Sequence, residues 1–197
     1  ESTWLDLAPV TVLAGANNVG KSSVLAALAA LVQSDEQSSG SALLLRGEWV
    51  ELGRYDEVVS FRRSGASRSF DLGLTGDGPK GPLDVAWHFD AAPGDHRELA
   101  SCTRVELHQG DVIERIVPMM PERMQWERLT VERLTADGAS WAKIGLVELL
   151  SPGTARLFTE SAAETVRLMP IGADTFRYLG PYRAEPRDLY GGRTQSR

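Results

Sequence analysis

The sequence predicts an α/β fold with an α+β texture: a strand–loop–helix unit, then a mixed or antiparallel β meander packed on that helix. Three observations predict it. Val10–Ala14 is a continuous apolar run suited to a buried strand, and it ends in a loop with two glycines and two asparagines, Gly15–Gly20. Lys21–Gln33, rich in Ala and Leu and free of Gly and Pro, is the clearest helix in the chain. Beyond Ala42 the texture changes to short alternating segments separated by Gly, Pro and Asp breaks, which suits a meander better than a train of βαβ units.

Element by element, Thr3–Leu7 and Val10–Ala14 read as two short strands around Pro9. Ser34–Ser41 is polar and reads as a mobile loop. "ALLLRGEWVEL" reads as two short strands around Arg46-Gly47. "RSFDLGLT", "LDVAWHFD", "TRVELHQGDVIERIVPM" and "ERLTVERLTADGASWAKI" continue the pattern. Within them His108-Gln109-Gly110-Asp111 and Ala136-Asp137-Gly138 carry hairpin chemistry. Pro152–Leu168 can form an amphipathic helix with Ala155, Leu157, Phe158, Ala162, Val166 and Leu168 toward one side. Thr175–Pro181 reads as a returning strand closed by Gly-Pro. The expected organisation is one lobe over 1–197: strand, loop and helix in 1–33, a β-rich subregion in 42–148, and a helix with a returning strand and loop in 152–190. A start at Glu1 and a loop-like "GGRTQSR" end suggest a piece of a longer protein.

Composition sets bounds. With 197 residues, 42% hydrophobic and 24% charged, the chain can bury a core of its own. A net charge of −6 argues against a surface that coats nucleic acid along its whole length. Cys102 is the only cysteine, so an internal disulfide and a cysteine-based zinc site are excluded, which fits a reducing cytoplasm. No apolar run approaches the ~20 residues of a membrane-spanning helix, and no membrane association is expected.

The chemistry concentrates in Gly15-Ala16-Asn17-Asn18-Val19-Gly20-Lys21-Ser22, which matches G-x-x-x-x-G-K-[ST] at every fixed position. A triphosphate is held by successive backbone N–H groups, so the loop must curl without side chains in the way. Gly15 and Gly20 supply that freedom, and Asn17 and Asn18 tolerate left-handed geometry. A helix starting near Lys21 adds its N-terminal partial positive charge. Lys21 is placed for the β and γ phosphates, Ser22 for Mg²⁺, and Ser23 for the α phosphate. ATP and Mg²⁺ are therefore the expected cofactors. Average residue usage gives on the order of 0.01 chance matches in a chain this long.

"VTVLAGANNVGKSS" resembles the start of ABC-type ATPase heads of the structural-maintenance-of-chromosomes-like (SMC-like) superfamily. "LVQS", "ALLLRGEWVELGRYDEVVS" and "YLGPYRAEP" are similar to its prokaryotic AAA ATPase group found in defence and phage exclusion, related to overcoming-lysogenization-defect ATPases. These pieces span Leu5 to about Tyr190, while roughly Ala66–Ile171 carries no matching motif. The resemblance implies a P-loop NTPase, ABC-type N-terminal lobe, hydrolysing ATP between two copies as a head-to-head homodimer in the cytoplasm. It implies an effector protein or nuclease domain as partner, and a DNA-linked role such as phage defence or repair, with nucleic acid a candidate ligand. Such heads also need an apolar strand ending in Asp-Glu, and none stands in this sequence. Leu150–Thr154, "LSPGT", has the look of their signature motif but lacks the strand that should follow. The competing readings are a self-contained P-loop phosphotransferase or GTPase, and a non-catalytic nucleotide switch. The meander disfavours a kinase, and no Asn-Lys-x-Asp segment supports a GTPase.

Other residues carry two readings each. Gln33 ends the P-loop helix, where the resemblance offers a glutamine that senses Mg²⁺, but its short spacing from Lys21 favours a solvated helix end. Arg183 and Arg187 suit either phosphate and a partner, or loop salt bridges with Glu185 or Asp188. His88, His96 and His108 are dispersed, without ligand spacing. Trp4, Trp49, Trp87, Trp126 and Trp141 are expected in cores or interfaces. Arg62, Arg63 and Arg68 form a local basic cluster, read as a solvated hairpin edge before a nucleic-acid contact.

Overall fold

Alternating side chains of opposite character dominate the middle of the chain, and they fold as strands. In the computed structural model, residues 5–8, 10–16, 20–37, 39–59, 69–78, 81–92, 94–118, 129–135, 137–158 and 163–169 are described. Helix α1 covers Lys21–Glu36 and a single turn, α2, covers Tyr55–Val58. The strands are β1 Ala42–Leu44, β2 Ser69–Gly78, β3 Gly81–Ala91, β4 Leu99–Gln109, β5 Val112–Pro118, β6 Leu129–Leu134, β7 Trp141–Ser151, β8 Thr154–Phe158 and β9 Ala163–Arg167. They form one sheet in the order β2-β3-β4-β5-β6-β7-β8-β9, with β1 added to β4. Every pairing of these strands is antiparallel.

The sheet curls into a half-barrel. Register shifts interrupt the pairing at His88/Phe89, Val131/Glu132 and Leu149/Ser151, and such bulges bend and twist a strand locally. Period-two alternation turns Val85, Trp87 and Phe89 of β3 inward, where they meet Val105, Ile116, Val147 and Ala155 from the following strands. The buried Trp87 indole N–H donates to the Pro152 carbonyl at 2.7 Å, tying β3 to the β7–β8 turn across the curl. Tyr55 stacks toward Phe70 and Phe70 toward Phe89, with centroids 6.0 and 5.3 Å apart. Burial, then the nearby Asp90 charge, pushes the Tyr55 hydroxyl up to about 12. Burial likewise pushes the Cys102 thiol up to about 12, so it is a protonated core side chain at neutral pH. The second half of α1, Ala29–Ser34, closes this core.

Several expectations are corrected. The α/β lobe is replaced by a mostly antiparallel β architecture, 53% strand and 15% helix among the described residues, with no parallel pair between its strands. Leu5–Leu7 and Val10–Ala14 form no strand here: Val10 and Val12 are each 82% exposed. A strand needs a partner to satisfy its backbone, and no strand among the described residues pairs with this segment. Pro152–Leu168 is no helix. Ala155 and Leu157 alternate with Thr154, Arg156 and Phe158, so the segment pairs as the β8–β9 hairpin. Ser34–Ser41 is no free loop either: α1 runs on to Glu36, Gly40 N–H donates to the Leu150 carbonyl at 2.9 Å, and Ser41 accepts from Cys102 N–H at 2.7 Å. Both hairpin signals hold: Gln109 faces Val112 across Gly110-Asp111, and Thr135 accepts from Gly138 N–H at 2.8 Å. The expected Thr175–Pro181 strand lies outside the described residues.

Candidate functional site

Gly20 starts α1 with φ 90° and ψ 5°, a left-handed conformation that a side chain would strain. As the residue before the first helical turn it brings no capping side chain, and no acidic residue stands in that turn. The helix ladder begins with Val24 N–H donating to the Gly20 carbonyl at 3.2 Å. The amides of Lys21, Ser22 and Ser23 precede that ladder and belong to the turn whose N–H groups α-helices leave for outside acceptors. Such a terminus suits an anion.

Lys21 folds its side chain back over the loop. Its ammonium donates to the carbonyls of Gly15 at 2.9 Å and Ala16 at 2.5 Å. An ammonium has three donors, so one remains for a ligand, and the positive charge is fixed at the loop's mouth. Ser22 and Ser23 are exposed beside it. Gly15, Ala16, Gly20, Lys21, Ser22 and Ser23 thus stand together, while Asn17, Asn18 and Val19 lie outside the described residues. The donors suit Mg-nucleotide: backbone N–H groups and an ammonium for phosphate, and one hydroxyl for a hard cation that keeps most of its ligands as water and phosphate oxygen.

Gln33 is the site residue that the structure moves elsewhere. It is fully buried. Its Nε2 donates to the Leu44 carbonyl at 2.9 Å, and its Oε1 accepts from Trp49 N–H at 3.3 Å and Val50 N–H at 3.2 Å. Both the solvated helix end and the Mg²⁺-sensing role are corrected by this: the amide oxygen has two lone pairs and both are taken. It also lies twelve residues along α1 from Lys21, roughly 18 Å at ~1.5 Å per residue.

Next to it stands a network that sequence reasoning missed. Asp35 Oδ1 accepts from Ser151 in a short hydrogen bond and from Thr154 Oγ1 at 3.0 Å, and Oδ2 lies 3.8 Å from the Arg167 guanidinium. Leu150–Thr154, which looked like a signature motif, is therefore the end of β7, the turn and the start of β8, engaged with the end of α1. The signal was present only as four successive polar residues, Gln33-Ser34-Asp35-Glu36, ending an apolar helix.

The remaining candidates fall into structural places. His88 bonds Asp71 and lies 3.8 Å from Asp90, which accepts from Thr103 Oγ1 at 2.9 Å. Among the described residues no group of three or more His, Cys, Asp and Glu is placed to hold a metal. Trp87 is core, Trp49 packs against it, and the Arg115 guanidinium sits 4.2 Å from the Trp141 ring centroid. Arg62, Arg63, Arg68, Arg183, Arg187, Trp4 and Trp126 lie outside the described residues. No helix among the described residues is long and apolar enough to cross a membrane. Comparison with protein-family models, curated proteins and solved structures finds no match.

Proposed function

We propose that this chain binds ATP·Mg²⁺ through Gly15–Ser23 and serves as the nucleotide-binding lobe of an ABC-type, SMC-like ATPase that works as a head-to-head homodimer in a DNA-linked process such as phage defence or repair. The single observation behind the nucleotide reading is the Lys21 ammonium, held on the Gly15 and Ala16 carbonyls at the mouth of an uncapped helix N-terminus. The two carbonyls hold the ammonium in place, and a phosphate would meet both that charge and the positive end of the helix dipole. The antiparallel sheet is unlike the α/β lobe that the resemblance implies and counts against the family reading; that part rests on the resemblance of the sequence pieces alone.

Binding follows from the parts. The N–H groups of the first turn and the Lys21 ammonium take phosphate oxygens, and the Ser22 hydroxyl takes one position on Mg²⁺. Lys21→Ala removes the charge and is expected to cost on the order of 2–5 kcal/mol of nucleotide binding, the range for a desolvated charged contact. Calorimetric titration with ATP·Mg²⁺ checks this. Wild-type affinity in the variant would dismiss the site.

A further inference from the structure

α1 is held at one end. Its first half is the less buried one: Ser22, Ser23 and Leu25 are exposed, Leu25 at 48%, the other five residues are half-buried, and Ala26 alone among them packs against the core. Most of its second half is buried, and after the last apolar residue, Val32, the side chains of Gln33, Ser34 and Asp35 engage two neighbours: the Leu44–Val50 segment and the β7–β8 turn. Gln33 grips the backbone at Leu44, Trp49 and Val50. Ser34 donates to Ala30 O at 2.6 Å and accepts from Leu44 N–H at 2.8 Å. Asp35 takes the hydroxyls of Ser151 and Thr154.

The chain opposite is shaped to receive two of them. A Cβ on Gly47 would lie 2.5 Å from the Gln33 amide oxygen, and one on Gly153 would lie 2.6 Å from the Asp35 carboxylate. Real Cβ contacts are essentially never that short, so only glycine admits these side chains where they stand. Two glycine-lined recesses and seven hydrogen bonds thus converge on three residues.

We infer that Gln33-Ser34-Asp35 is a positioning seat for the nucleotide loop: it fixes the buried half of α1 as a helical nucleus from which the exposed half, and the loop at its start, are built. The physical ground is nucleation. The first turn of a helix is costly, propagation is cheap, and isolated helices shorter than ~12–15 residues are marginal in water. Lys21–Leu28 contains none of the fully buried residues of α1, so it has little packing of its own to hold it helical. It inherits its order from the seated half, so the seat sets how often the loop's N–H groups are aligned. Asp35 contributes by tying that nucleus to the β7–β8 turn: its charge alone would oppose the helix dipole, but its hydrogen bonds from the Ser151 and Thr154 hydroxyls, with the Arg167 guanidinium nearby, anchor the end of α1 to the sheet.

The inference uses the nucleotide reading for its consequence but is testable without nucleotide. Amide hydrogen exchange is measured over Val24–Leu28 in the full chain without ligand, and ATP·Mg²⁺ affinity is measured in parallel. Asp35→Ala is expected to speed exchange over Val24–Leu28 roughly tenfold and to weaken ATP·Mg²⁺ by a similar factor. Asp35→Asn, which keeps an acceptor for both hydroxyls, should restore both to within about twofold. Ser151→Ala, made on the sheet and away from α1, should give the same direction at smaller size, and serves if Asp35→Ala does not fold. Unchanged exchange over Val24–Leu28 in Ser151→Ala or a folded Asp35→Ala overturns the seat, whatever the nucleotide does. Faster exchange with no ATP binding by the wild type keeps the seat and removes the nucleotide reading instead.

Discussion

Lys21 commits two ammonium donors to its own loop, and Ser22 stands beside it with an exposed hydroxyl. On the proposed reading the two residues would do separable work: charge on the phosphates from one, a metal ligand from the other. Ser22→Ala is expected to leave metal-free ATP binding nearly intact while abolishing the tightening that Mg²⁺ brings. Titrating Mg²⁺ at fixed ATP reads this directly, and an unaltered Mg²⁺ dependence would show that Ser22 is no ligand. What was legible in the sequence is the placement: the loop spacing sets Lys21 against the Gly15 and Ala16 carbonyls, with Ser22 exposed beside it. The role of Gln33 was not. A glutamine at the end of an apolar helix reads as solvent-facing, and only the return of Leu44–Val50 to its side supplies the backbone partners that make its burial tolerable.

Among the elements, the hairpins were the most legible, because their turns are written in short-range chemistry. In the β6–β7 turn Gly138 takes φ 67°, and Asp137 accepts from Thr135 Oγ1 and, at 3.0 Å, from Ala139 N–H. The Thr135 hydroxyl first, then the Ala139 amide, hold the Asp137 carboxyl below its ordinary value of 3.8. A depressed folded-state value means the carboxylate's contribution to the turn is present above 3.8 and fades as pH falls through the folded value. Thr135→Ala should therefore move the Asp137 titration midpoint up toward 3.8, followed by NMR of its carboxyl carbon. A midpoint that stays put would mean the hydroxyl does not set it. The β8–β9 hairpin was misread for a related reason. Ala155, Leu157, Phe158, Val166 and Leu168 satisfy a helical stripe about as well as they satisfy alternation. Pairing with β7 across the Pro152-Gly153 turn decided it, through Val147 opposite Leu157 and Leu149 opposite Ala155. Val10–Ala14 failed the other way: its apolar, β-branched run is strand-like, but no strand among the described residues pairs with it.

At the scale of the molecule, the half-barrel packs against the second half of α1 and leaves the start of that helix more exposed. The core lies under the second half of α1, while Ser22, Ser23 and the segment leading into the loop face solvent, with Val10 and Val12 at 82% exposure. A nucleotide on that loop would have its phosphates bound beneath and open to water above. Binding tolerates this arrangement; fast phosphoryl transfer does not. Transfer depends almost wholly on positioning and on preorganised charge in a site from which bulk water is excluded. Residues 1–197 alone are therefore expected to bind ATP·Mg²⁺ weakly and to turn it over no faster than background. On the proposed reading, a longer chain that carries this lobe should hydrolyse ATP at a specific rate that rises with its own concentration, because a second head would cover the exposed side of the loop. A steady-state assay of both across a wide concentration range separates the outcomes. Robust hydrolysis by residues 1–197, independent of concentration, would mean the loop is completed within this chain, and a self-contained phosphotransferase would replace the dimeric ATPase.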